Sequence, residues 1–138
     1  MRYLVVSALL LINTAQAEPL ALNCSGDLYY FQPNNWDATA ATKVEGSLVV
    51  KVDVALRSLE VQEMPRFGTR TMVLKVTDGA YKGMLPIHAS VQGTVIDRVE
   101  FIADRLTGAG LLAVYPEDEP GRGKVLYYGK CAPMQQKF

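Results

Sequence analysis

Cys24 and Cys131 are the only two cysteines of the chain, and they stand near the two ends of a long succession of short apolar segments. A bond between them would tie the first strand-like segment to the last, which constrains the fold more than any other feature. The segment Thr94 to Cys131 reads as three consecutive strands, so the bond would fasten the last of these back to the start of the domain.

The N-terminus says whether such a bond is expected. Arg2 supplies a positive charge, Leu4 to Ile12 a short apolar stretch, and Ala15-Gln16-Ala17 a small-residue cleavage site, the parts of a secretory signal. That apolar stretch is far shorter than the roughly 20 residues a spanning helix needs, and no second one follows. Residues 1–17 are therefore expected to be a signal peptide cleaved after Ala17. Residues 18–138 would form a single β-domain, periplasmic or secreted, with no transmembrane segment. Lipidation of Cys24 is not expected, because Asn23 stands where a small residue is needed and the apolar stretch ends well upstream. In an oxidising compartment the two thiols should pair. Closing a loop of about 100 residues stabilises a fold by roughly 4–5 kcal/mol in the chain-entropy model. A zinc cage or a redox pair is a poor fit, with one histidine and no C-x-x-C spacing.

The segments between the cysteines have the period of two that sends alternate side chains into a core. Asp27 to Gln32 is a first strand rich in aromatics, followed by a polar loop to Thr42 that carries Trp36, the only tryptophan. In Lys43 to Val54, Leu48, Val50, Val52 and Val54 alternate with Val49, Lys51 and Asp53. Leu59 and Val61 continue the pattern after a turn near Ala55 to Ser58, and Met64 to Gly68 is another turn. Met72, Leu74 and Val76 share a face, and Asp78-Gly79 is a hairpin signal. Ala80 to Leu85 is the return strand, which Pro86 is expected to end. Val99, Phe101 and Ala103 form an inward row, Asp104 to Gly108 reverses the chain, and Leu111 to Tyr115 is a short apolar run. Pro116 to Gly123 is an exposed loop, and Val125 to Lys130 is the last strand. These make about eight strands, an all-β domain folded as a small antiparallel β-barrel or a closed β-sandwich.

The chain balances 14 Lys and Arg against 14 Asp and Glu. It lacks the basic excess of a nucleic-acid binder and offers no polybasic patch for anionic lipid. Little else points to catalysis. His88, the only histidine, has no G-x-S-x-G elbow to serve, and Ser58 and Ser90 are isolated. Glu117, Asp118 and Glu119 lack the alternate spacing of a calcium loop. Asp97, Glu100 and Asp104 lie among Arg98 and Arg105, where solvent-side cross-strand ion pairs are the expected role. Asp97 and Glu100, three apart, should point to opposite faces. Tyr29, Tyr30, Tyr127 and Tyr128 fall on the two strands the disulfide would join. Core packing accounts for such a band. The sharper alternative is a binding patch of Tyr29, Tyr30, Trp36, Tyr127 and Tyr128, with a mobile Trp36 above it. The sequon Asn23-Cys24-Ser25 is set aside, because a bonded cysteine would hinder glycosylation.

Three short motifs carry a resemblance: Leu22-Asn23-Cys24-Ser25-Gly26, Ala103-Asp104-Arg105-Leu106-Thr107-Gly108 and Tyr127-Tyr128-Gly129-Lys130-Cys131. In these the chain resembles a group of small exported proteins of alphaproteobacteria. The resemblance implies a periplasmic setting and the disulfide, and no activity. The D-R-x-T-G motif also suggests that Asp104 caps its turn while Gly108 takes a positive φ, leaving Arg105 to pair with a carboxylate such as Glu100.

The expected role is that of a non-enzymatic exported domain binding an unknown protein or an envelope component, with no cofactor and no metal. A barrel that binds a small apolar ligand in its interior is the alternative, and a carboxylate-based hydrolase a third. A cavity above roughly 300 Å³ would favour the ligand binder, and a filled core with an exposed apolar patch the partner binder.

Overall fold

The structure, a computed structural model, describes residues 19–91 and 93–134. The expected signal peptide lies outside the described residues. Eight antiparallel strands form a closed barrel: β1 Leu20–Tyr30, β2 Thr42–Asp53, β3 Ser58–Met64, β4 Gly68–Val76, β5 Ala80–Val91, β6 Thr94–Asp104, β7 Ala109–Pro116 and β8 Lys124–Pro133. Each strand pairs with the next in sequence, and β8 pairs with β1 to close the ring. The only helical element among the described residues is a 3-10 turn, Ala38–Ala40.

Alternation explains the closure. Leu48, Val50 and Val52 of β2, Leu59 and Val61 of β3, Met72 and Leu74 of β4, Val99 and Phe101 of β6, and Leu112 of β7 point inward and join one hydrophobic cluster. Lys51 of β2, Lys75 of β4 and Lys82 of β5 are exposed. The apolar interior differs from the polar interior of a membrane-spanning barrel, and the outer face mixes these charges with exposed Val73, Val76, Met84 and Val95. No helix among the described residues is long and apolar enough to cross a membrane. Phe31, Trp36, Met64 and Phe67 join the same cluster at the barrel end where β1 finishes, so side chains fill the interior.

Cys24 and Cys131 are bonded, and they sit directly opposite each other in the β1–β8 register with Cα atoms 3.9 Å apart. Two residues further along β1, Gly26 faces Gly129 of β8. The same row continues to Gly46 of β2 and Gly110 of β7. Four adjacent strands thus present glycine at one level of the barrel. A Cβ on Gly26 would lie 2.3 Å from the Tyr128 carbonyl oxygen, and one on Gly129 2.1 Å from that of Ser25. The row leaves room for the Tyr127 ring, which is fully buried and whose hydroxyl donates to the Ser25 carbonyl at 3.0 Å.

Four local expectations are corrected. β1 begins at Leu20 rather than Asp27, because Leu22 and Cys24 are inward residues paired on both sides. Pro86 does not end β5: the strand runs to Val91 through an irregularity between Pro86 and Ala89, where His88 has φ 49°. A proline is tolerated where the ladder is already interrupted. Trp36 is buried against Phe31, with ring centroids 5.0 Å apart. Arg105 does not meet Glu100; it donates to the Thr77 carbonyl and lies over the Tyr81 ring. The turn itself forms as the motif suggests. Asp104 accepts from the backbone N–H groups of Leu106 and Thr107, and Gly108 has φ 81°. The backbone bonds from Thr107 and Leu106 hold the Asp104 carboxyl below its ordinary value.

Candidate functional site

The β1–β8 register runs from Leu22↔Pro133 to Leu28↔Tyr127 and stops there. Beyond it, Tyr29 and Tyr30 pair only with β2, and Lys124 and Val125 only with β7. The physical cause lies in β8. The β7–β8 register shifts between Leu112 and Ala113, so Ala113 faces Val125 while Leu112 faces Tyr127. Leu126 is the extra residue, and both Leu126 and Tyr127 are buried. Such a bulge bends its strand, and here β8 diverges from β1.

A cleft of about 760 Å³ opens where the two strands part, lined by Tyr29, Phe31, Trp36, Asp37, Ala38, Gly123, Lys124, Val125 and Tyr128. Its walls come from both strands and from the segment that joins β1 to β2. That segment is fixed at several points. Arg66, from the β3–β4 turn, donates to the Phe31 carbonyl. Asp37 caps the 3-10 turn by accepting from the Thr39 backbone N–H at 3.0 Å and the Thr39 hydroxyl at 2.8 Å. Those two bonds, backbone first, hold the Asp37 carboxyl below its ordinary value, with a smaller push from Lys124. Lys124 makes one long ion pair, 3.8 Å from Glu119.

Trp36 is the unusual member. It is 9 % exposed, and its indole Nε1–H is out of solvent with no acceptor among the described residues. An orphaned buried donor costs about 1–3 kcal/mol. Of the five residues expected to form a binding patch, Tyr29, Trp36 and Tyr128 line this cleft. Tyr30 does not line it. Tyr127 is a core residue beside the disulfide, and burial pushes its phenol up to about 12. The sequence did not single out Lys124, Asp37 or Phe31. The aromatic segment before the loop was the only available hint, because the cleft depends on where the register ends.

A second cluster lies on the outer face of β5, β6 and β7. Arg98 bonds Glu100 at 2.7 Å and Asp97 at 3.1 Å, and stacks over Tyr115 at 4.1 Å. Desolvation works against the charged guanidinium, but the bonds to Glu100 and Asp97 outweigh it and raise its pKa. Asp97 and Glu100 therefore meet one cation instead of pointing apart, because the β6–β7 register shifts between Ile96 and Arg98. These ion pairs run along β6 and do not cross strands. His88 Nδ1 lies 3.5 Å from Asp97, with the histidine side chain 67 % exposed. Among the described residues no three of His, Cys, Asp and Glu gather as metal ligands.

Compared with protein-family models, curated proteins and solved structures, the chain matches none.

Proposed function

We propose that this chain is an exported, non-enzymatic barrel that acts by binding, and that the cleft between the parted ends of β1 and β8 takes an apolar group. One observation carries the reading. The barrel interior is filled by its own side chains, whereas the outer cleft has the size of ligand sites, roughly 300–1,000 Å³, and a lining that includes four aromatic residues. The ligand reading of the sequence thus moves from the barrel interior to its seam. The exported setting is part of the proposal. It rests on the pattern of residues 1–17 and is compatible with the Cys24–Cys131 bond.

The hydrolase reading has one observation in its favour, the contact of His88 with Asp97. The pair is less suited to catalysis than to surface packing. The histidine is largely solvated, and Arg98 already holds the carboxylate.

A neutral apolar fluorophore, N-phenyl-1-naphthylamine, tests the binding reading, because Trp36 lies in the cleft and is the only tryptophan to transfer energy to it. Saturable transfer is expected, lost in Tyr128→Ala and retained in Val73→Ser on the opposite side of the barrel. Absence of saturable transfer, or transfer indifferent to Tyr128→Ala, would contradict the reading.

A further inference from the structure

We propose that the natural ligand of the cleft is a small amphiphilic anion, an apolar body ending in a carboxylate. The inference rests on the binding reading above and adds the chemistry of the head group. The apolar part follows from the walls: Phe31, Trp36, Ala38 and Val125, with the ring faces of Tyr29 and Tyr128.

The head group follows from a count of donors and acceptors among the lining side chains. Three can donate to a guest: the phenols of Tyr29 and Tyr128 and the Lys124 ammonium. One side chain accepts strongly, the Asp37 carboxylate, and it is already engaged by the Thr39 backbone N–H and hydroxyl. The ion pair of Lys124 with Glu119 is long, at 3.8 Å. A cleft in which these donors outnumber the acceptors is suited to an acceptor-rich guest. A neutral body filling it would strip water from these donors and return nothing, and a cation would meet the Lys124 ammonium beside an Asp37 carboxylate that already accepts two hydrogen bonds from Thr39. A carboxylate on an apolar chain supplies acceptors and complements the ammonium.

Three probes with one body and different heads decide the matter: dodecanoate, dodecan-1-ol and dodecyltrimethylammonium. Each is titrated below its aggregation limit into the full disulfide-bonded protein while Trp36 emission is followed. Dodecanoate should give a saturable change with at least tenfold tighter binding than the alcohol, and the cation none. Lys124→Met should weaken dodecanoate about tenfold and leave the alcohol unchanged. Equal affinities for all three, or preference for the cation, would overturn the anionic head while leaving the binding reading intact if N-phenyl-1-naphthylamine still saturates. If neither that fluorophore nor any of the three binds, both fall together.

Discussion

One seam closes this barrel, and its two halves are built in opposite ways. From Leu22 to Leu28, β1 is in register with β8, bonded through Cys24–Cys131, and packed so closely at Gly26 and Gly129 that a methyl group on either would overlap backbone. From Tyr29 onward the same strand has no partner on that side, and the gap is walled with aromatic rings. The two halves adjoin: Tyr127 is core and Tyr128 lines the cleft. The contrast suggests a division of labour along one strand pair. Tight pairing, glycine and a covalent bond hold the closed half, which frees the other half to diverge and present a site. A barrel closed uniformly would have no such cleft, and one parted along its whole seam would expose strand edges to aggregation.

The largest effect should come from the bond itself. Cys24→Ala/Cys131→Ala frees a loop spanning 107 residues and is expected to lower stability by about 4–5 kcal/mol, read by urea unfolding. Next is Gly129→Ala, whose Cβ would sit 2.1 Å from the Ser25 oxygen and 2.7 Å from the Tyr127 hydroxyl. Overpacking of this kind should cost about 3 kcal/mol, and an unchanged urea midpoint would mean that the closed half is looser than described. Tyr127→Phe removes one buried hydrogen bond and should cost about 1 kcal/mol. It should also change the alkaline limit. Burial raises the Tyr127 pKa from 10.0 to about 12, so its contribution is whole below 10.0 and is lost as pH rises towards 12. Circular dichroism over that range should show the parent losing stability more steeply than the variant. The smallest stability effect belongs to the open half. Tyr128, 58 % exposed, should tolerate alanine within about 0.5 kcal/mol and yet lose probe binding. A large loss of stability there would show that the cleft wall is structural.

Much of the barrel is legible in the sequence, and several of the parts that are not share a cause. Leu48, Val50 and Val52, then Met72 and Leu74, then Val99, Phe101 and Ala103, alternate without interruption, and those strands lie where the pattern places them. Barrel rather than sandwich follows from β8 pairing with β1, which the cysteines anticipate. Some misreadings arise where alternation breaks. The irregularities after Pro86, at Ile96–Arg98 and at Leu126 shift the phase of their strands. Asp97 and Glu100 therefore converge, and an extra residue, Leu126, is buried beside Tyr127. A period-two reading has no means of placing a bulge, since the extra residue is defined by the partner strand. The glycine row is hidden for the same reason: Gly46, Gly26, Gly129 and Gly110 become neighbours only once the register is known.

Amide hydrogen exchange along β1 tests the central contrast most directly. Cys24 and Cys131, with Cα atoms only 3.9 Å apart, form a close, non-hydrogen-bonded pair. Alternation then aims the N–H groups of Ser25, Asp27 and Tyr29 at the β8 side. The Ser25 and Asp27 amides should exchange slowly, and the Tyr29 amide, next in the series but beyond the end of the register, faster by orders of magnitude. If the Tyr29 amide is as protected as that of Asp27, the seam is closed along its whole length and the account of the cleft fails.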